Sequence, residues 1–137
     1  MKLIYDTNVV LDVILRREPF YSYSAQAMNL CEGGDIQGVI SAASLTDIFY
    51  IVKRLTGSRA TAYKALDLIK EVFEIASLSG EAAEKAIEEK KADFEDDMIA
   101  KVAEENGCDY ILTRDKTGFS DCAIKTITPK KLMGMLP

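Results

Sequence analysis

Short apolar runs alternate along the chain with longer segments whose apolar residues recur at helical spacing. Each short run ends at polar or turn residues before helical periodicity can develop, which is typical of a buried strand. We predict five strands in this way, at residues 2–5, 37–40, 74–76, 109–112 and 125–127.

The segments between these strands carry helix signals at one or both ends. Ser, Thr or Asp residues precede several of them as N-caps, and Gly33, Gly57 and Gly107 are expected to end three of them. The predicted helices run from about residue 9 to 17, from 20 to 32, from the caps at 41–44 through 55, from 58 through 73, from 79 to about 91, from 94 to 106, and onward from Thr128-Pro129.

Strands that alternate with helices in this way predict a parallel sheet covered on both faces, a three-layer α/β/α fold. With 137 residues, a single domain over residues 1–137 is expected. Ligands of such sheets bind beyond the carboxyl ends of the strands. The polar residues that follow each strand are therefore the ones to inspect for function.

The overall charge limits the kinds of partner. The chain has 17 basic and 22 acidic residues, a formal net charge of -5, which argues against holding nucleic acid by a global basic field. A local site remains open, because bound divalent cations cancel negative charge where a substrate must lie.

Histidine is absent, which excludes Ser-His-Asp and Cys-His nucleophile systems and the commonest zinc ligand. Cys31, Cys108 and Cys122 are odd in number and lack a metal-ligand spacing, so we interpret them as reduced thiols of a cytosolic protein. Asp6 and Asp12 interrupt the first apolar runs, so neither a signal peptide nor a membrane span is predicted there. We expect a cytoplasmic location.

Four aspartates stand where the predicted sheet would bring them to one edge. Asp6 follows the first strand and Asp115 the fourth, while Asp47 and Asp96 lie in the first turns of two helices. Each alone is equally compatible with a turn, a cap or a favourable helix N-terminal charge. Together they indicate a metal site, since grouped anions repel one another without cations.

Three segments resemble the signatures of PIN-domain proteins: Leu3 to Asp12, Asp93 to Ala100, and Tyr110 to Asp115. The resemblance implies a Mg²⁺- or Mn²⁺-dependent nuclease acting on RNA. It assigns Asp6, Asp96 and Asp115 to the first, third and fourth acids of the family's site. Asp47 occupies the place of the second, which is more often Glu.

Asp96 has an acidic neighbour, Asp97, but one residue turns a helix by about 100°, so both cannot face one pocket well. We choose Asp96, which stands three residues before Ile99 as the family pattern requires. Other polar and basic side chains are candidates to support the acids or to contact phosphates. The supporting candidates are Asn8, Thr113 and Asp93, and the substrate-binding candidates are Arg16, Arg17, Lys53, Arg54 and Arg114.

Among PIN-domain proteins, small single-domain chains such as this one resemble VapC-type toxins. That resemblance implies an RNA substrate, an antitoxin partner and a homodimer. Two alternatives stay open: a PIN-like module with weakened catalysis that binds RNA or a protein, and a phosphatase with Asp6 as nucleophile. Many such phosphatases carry a second acid two residues later, where this chain has Asn8.

Overall fold

The computed structural model describes residues 1–136, and its centre is a sheet of five parallel strands. The strands are β1 (Lys2–Tyr5), β2 (Gln37–Ser41), β3 (Glu74–Ala76), β4 (Tyr110–Leu112) and β5 (Lys125–Ile127). They lie in the order β3-β2-β1-β4-β5, so β1 is central. Ile4 of β1 pairs with Val39 on one side and with Ile111 on the other. The five predicted strands are confirmed.

Seven α-helices and one 3₁₀ turn, within the described part of the chain, connect and cover these strands. They are α1 (Thr7–Ile14), α2 (Tyr21–Glu32), α3 (Ala42–Thr56), α4 (Arg59–Val72), α5 (Gly80–Glu89), α6 (Phe94–Glu105), α7 (Pro129–Met135) and the 3₁₀ turn Thr117–Phe119. No helix among residues 1–136 has the length and apolar character needed to cross a membrane.

The alternation of side chains along β1 divides the interior into two layers. Leu3 and Tyr5 point into a core formed with α1, α2, α3, α4 and α7. Ile4 points to the opposite face, where residues of α6 such as Ile99 and Val102 cover the sheet. Helix α5 packs on α6. The predicted three-layer α/β/α architecture is therefore confirmed.

Two helices end earlier than their sequence pattern predicts. Helix α1 stops at Ile14 and α5 stops at Glu89, whereas we expected them to continue to about residues 17 and 91. Arg16 and Lys90 each adopt a φ of 50°, in the left-handed region that interrupts a right-handed helix. The predicted stop at Gly57 is confirmed, because its φ of 68° is a conformation that suits glycine.

Candidate active site

The carboxyl ends of β1 and β4 bring Asp6 and Thr113 into direct contact. The Asp6 backbone N–H donates to the Leu112 carbonyl oxygen at 2.9 Å, which aligns the two strand ends. The Thr113 hydroxyl then donates to Asp6 Oδ2 at 2.8 Å, and both side chains are buried. This bond fixes the orientation of the Asp6 carboxylate at the centre of the sheet edge.

A recess of about 330 Å³ opens beside this edge, and we call it the acidic recess. Asp93, Asp96 and Asp115 contribute to its wall, together with the 3₁₀ turn that contains Gly118. Asp93 caps α6, because its Oδ1 accepts a hydrogen bond of 3.0 Å from the Asp96 N–H. A Cβ built on Gly118 would overlap the Asp96 carboxylate, so the turn passes directly over that side chain.

Asp115 is held at the opposite wall of the acidic recess by the turn that follows β4. Its backbone N–H donates to Thr113 Oγ1 at 3.1 Å, and its Oδ1 accepts from the Thr117 N–H at 3.1 Å. Thr113 therefore links Asp6 to Asp115 through one hydroxyl group. The two acids that follow adjacent strands are positioned by the same residue.

The carboxylates near the acidic recess influence one another's protonation. Burial raises the pKa of Asp96 to about 7, and the charges of Asp6, Asp93 and Glu95 add to this effect. Burial also raises the pKa of Asp6, although its hydrogen bond from Thr113 partly opposes that shift. A cation near these groups would reverse the repulsion that raises the Asp96 pKa.

Asp47 lies in a smaller neighbouring recess of about 120 Å³, where Glu95 also contributes to the wall. Burial raises the pKa of Glu95, and the nearby Asp47 carboxylate raises it further, with a smaller contribution from Asp6. Our residue-by-residue prediction did not include Glu95. Its place in the first turn of α6, next to Asp96, is the sequence signal that would have identified it.

Asp97 also lines the acidic recess, which differs from our expectation for two adjacent acids, but its carboxylate takes part in a further set of contacts. Its side chain is buried, and its Oδ1 lies 3.3 Å from Lys101 Nζ and 3.4 Å from Lys91 Nζ. Lys101 Nζ is also 2.7 Å from Glu89 Oε1, so the network joins the end of α5 to α6. The second carboxylate oxygen of Asp97, Oδ2, is buried without a hydrogen-bond partner in the described part of the chain. The main contacts of Asp97 are thus with lysines.

The predicted phosphate-binding cations are dispersed. Arg114 Nε lies 2.8 Å from Oδ2 of the fully buried Asp12, and Arg17 Nη1 lies 3.9 Å from Asp12 Oδ1. The Arg114 charge acts on Asp6 and lowers that residue's pKa, opposing the effect of burial. Arg114 therefore stands beside the acidic recess, in a conformation fixed by a buried carboxylate.

The other three cations lie farther from Asp6. Arg16 follows α1 and stands 5.8 Å from the ring centroid of Tyr21. Lys53 and Arg54 are in the last turn of α3, whereas the first residues of α3 lie at the sheet edge. A helix of this length places them roughly 15 Å from that edge. The structure thus does not bring Lys53 or Arg54 to the acidic recess.

A divalent cation that prefers oxygen ligands suits this set of donors. Asp6, Asp96 and Asp115 offer carboxylate oxygens alone, the ligand type that Mg²⁺ and Mn²⁺ favour. Among residues 1–136, no three acidic, cysteine or histidine side chains are grouped closely enough to hold an ion by themselves. Mg²⁺ usually retains several waters and takes only one or two carboxylates directly, so a wider arrangement still fits it.

The raised pKa of Asp96 predicts how stability depends on pH when divalent ions are removed with EDTA. The folded state holds the Asp96 proton up to about pH 7, whereas an unfolded chain releases it near pH 4. The stabilisation is therefore complete below pH 4 and is lost as the pH rises through 7. We expect the free energy of unfolding, measured with urea, to fall more between pH 5 and pH 8 in the wild type than in Asp96→Asn. Equal losses in the two proteins would contradict this expectation.

Several known proteins are similar to this chain in sequence or in fold. A model of the PIN domain family matches residues 2–117. Ribonuclease VapC1 from Aquifex aeolicus is 30% identical over 127 residues, which cover 87% of this chain and 85% of that protein. The structure of VapBC2 from Rickettsia felis bound to a DNA fragment from its promoter contains a chain that matches with a TM-score of 0.70 and 17% identity, covering 93% of this chain and 98% of that one.

A chain in a toxin–antitoxin complex from Klebsiella pneumoniae is similar to the same extent. It matches with a TM-score of 0.67 and 22% identity over 93% of this chain and 97% of its own length. At these identities the two solved structures support the fold alone. The relationship in sequence is shown by the family model and by the Aquifex aeolicus ribonuclease.

Proposed function

Because this chain belongs to the PIN-domain family, whose model matches residues 2–117, we propose that it is a Mg²⁺- or Mn²⁺-dependent endoribonuclease acting on single-stranded RNA. The observation that carries the proposal is the acidic recess. Asp96 and Asp115 line it from separate segments, and Thr113 joins Asp115 to the neighbouring Asp6. Burial raises the pKa of Asp96, and the Asp6 charge raises it further. Such an arrangement gains stability from a bound cation.

The described residues have separate tasks in this proposal. Asp6, Asp96 and Asp115 would hold the ion, and Asp47 would act from the neighbouring recess through a water. When bound, the ion lowers the pKa of an attacking water and offsets charge on the leaving oxygen. Thr113 fixes the Asp6 carboxylate by its 2.8 Å hydrogen bond. Arg114 supplies positive charge beside Asp6, where it can hold a phosphate of the substrate.

The biological role follows from the relatives. The curated relative from Aquifex aeolicus is named as a ribonuclease, and the solved structures named above are of VapBC2 and of a toxin–antitoxin complex. We propose that this chain is likewise the toxin of a type II toxin–antitoxin pair, acting in the cytoplasm. Its partners would be an antitoxin protein and a second copy of the same chain.

Cleavage of RNA by the purified protein tests the proposed activity. We expect an end-labelled single-stranded RNA to be cut internally with Mg²⁺ or Mn²⁺, and not with EDTA or by Asp6→Asn. Cleavage that survives both controls would overturn the metal site. Binding of RNA without cleavage would identify a weakened module instead, and accumulation of phospho-aspartate at Asp6 would identify a phosphotransfer enzyme.

Thermal unfolding tests the metal site without relying on activity. Mn²⁺ at about one hundred times its dissociation constant should stabilise the folded state by about 2.7 kcal/mol, because it binds the native carboxylates. We expect a clear rise in melting temperature for the wild type and a much smaller rise for Asp96→Asn. If Mn²⁺ has no effect on the wild type, the carboxylates do not form a cation site.

A further inference from the structure

A second recess lies between the start of α2 and the start of α7, and we call it the aromatic recess. Its volume is about 340 Å³, within the range of small-ligand sites. The residues of its wall that matter here are Phe20, Tyr23, Ser24, Arg114, Pro129 and Lys130. None of them lines the acidic recess.

Two aromatic rings stand partly in solvent on this wall. Phe20 is 39% exposed and Tyr23 is 40% exposed. The two positions are three residues apart at the beginning of α2, a spacing that places side chains on the same side of a helix. Exposed aromatic rings of this kind are the surfaces on which proteins stack the bases of single-stranded nucleic acids.

Cationic groups accompany both rings. The Arg114 guanidinium carbon lies 4.1 Å from the Phe20 ring centroid, and Lys130 Nζ lies 6.0 Å from the Tyr23 ring centroid. Asp12, the acid that contacts Arg114, is shared between Arg114 and Arg17. Positive charge beside flat apolar surfaces complements a ligand that has phosphates and bases.

The aromatic recess also offers a polar group that has no partner. Ser24 is fully buried from solvent, and its Oγ makes no hydrogen bond within residues 1–136. A buried hydroxyl without a partner costs stability, which a ligand can restore by bonding to it. Ser24 therefore leaves an unpaired hydroxyl in the wall of the recess, which a ligand reaches only when that side chain turns outward.

Arg114 connects the two recesses. It stands in the chain between Thr113, which holds Asp6, and Asp115, which lines the acidic recess. Its side chain reaches the other way, to the Phe20 ring. Two consecutive residues of this turn therefore line the two recesses, Arg114 the aromatic one and Asp115 the acidic one.

We propose that the aromatic recess binds a nucleotide of single-stranded RNA that neighbours the cleaved phosphodiester. Its base stacks on the aromatic surface formed by Phe20 and Tyr23, and Arg114 and Lys130 contact its phosphates. This inference rests on the proposed function, because it takes RNA as the substrate of the acidic recess.

RNA affinity measured in EDTA tests the inference apart from cleavage. Fluorescence anisotropy with a labelled single-stranded RNA should show affinity at least about five-fold weaker for Phe20→Leu and for Tyr23→Leu, since each loses a stacking ring. Both variants keep apolar volume at an exposed position, so folding should persist. Tyr50→Leu is the matched control, because Tyr50 is 64% exposed on α3, away from both recesses, and its affinity should not change.

Photocrosslinking gives a second measurement that does not depend on the variants. RNA containing iodouridine should cross-link to the peptide that carries Phe20 and Tyr23. The inference is overturned if both variants bind RNA like the wild type, or if the cross-links map elsewhere. It is also overturned if the variants bind RNA like the wild type but no longer bind a co-expressed antitoxin, since the aromatic recess would then be a protein-binding site.

Failure of this inference can be told apart from failure of the proposed function. If the wild type cleaves RNA while both variants bind it normally, the ribonuclease activity stands and the aromatic recess is not its subsite. If RNA binds through Phe20 and Tyr23 but is not cleaved with Mg²⁺ or Mn²⁺, the aromatic recess binds RNA, but the proposed activity is wrong and the recess is not a subsite of cleavage.

Discussion

Asp96→Asn is expected to lower kcat/KM for RNA cleavage by at least about 100-fold, the usual cost of removing one preorganised charged group. The variant replaces the Asp96 carboxylate by a neutral amide, which binds a divalent cation more weakly, and it relieves repulsion with Asp6 and Glu95. Its melting temperature in EDTA at pH 8 should therefore equal or exceed that of the wild type. Steady-state cleavage of a labelled RNA and a thermal scan provide the two measurements.

The adjacent residue provides the matched control for this prediction. Asp97→Asn removes the same charge one position later, where it contacts Lys101 and Lys91. We expect cleavage close to that of the wild type and a loss of about 1–3 kcal/mol in the free energy of unfolding. If Asp97→Asn abolishes cleavage while Asp96→Asn preserves it, the third acid has been assigned to the wrong residue.

Gly118→Ala is expected to lower kcat by at least about ten-fold, although Gly118 carries no chemical group. Its added Cβ would overlap the Asp96 carboxylate and would approach Asp96 Cγ to 2.7 Å, so that side chain must move. A shift of about 1 Å at a reacting group can cost roughly 100-fold in rate. The rise in melting temperature caused by Mn²⁺ should fall in parallel.

Gly134→Ala is the control for Gly118→Ala. Gly134 lies inside α7 with no other atom within 4 Å of an added Cβ. Alanine there should leave cleavage unchanged and stabilise the protein by up to about 1 kcal/mol, because alanine favours a helix. Wild-type kcat in Gly118→Ala would mean that the 3₁₀ turn moves freely and does not position Asp96.

The sequence predicted the fold well because strand and helix signals here are local. Each apolar run is short, and caps such as Ser58, Ser79 and Thr128 accept hydrogen bonds from the first turns that they precede. The 3₁₀ turn was missed. Its residues, Thr117–Phe119, carry no apolar period, and the turn is fixed by the Asp115 side chain and by packing on α6.

The candidate site was predictable only in part, because helix direction and contact depend on tertiary structure. Placement after parallel strands located Asp6 and Asp115 from the sequence. The position of Glu95 next to Asp96 is a local signal, but its proximity to Asp47 joins two distant segments and depends on the tertiary structure. Lys53 lies in the last turn of α3, so its distance from the sheet edge already follows from the predicted length of that helix.

The lysine contacts of Asp97 hold its carboxylate toward Lys91 and Lys101, although Asp96 and Asp97 both line the acidic recess. Adjacent residues differ by about 100° around a helix. The Asp97–lysine contacts therefore fix the rotation of α6 about its own axis. Inserting one residue into α6 before Asp96 would exchange the directions of neighbouring side chains, even though the composition of the motif barely changes. Substitutions at Asp96 leave that rotation intact. A homologous protein can therefore lose the proposed activity through a substitution at Asp96 and keep its fold. A one-residue insertion in α6 would disturb both the fold and the site.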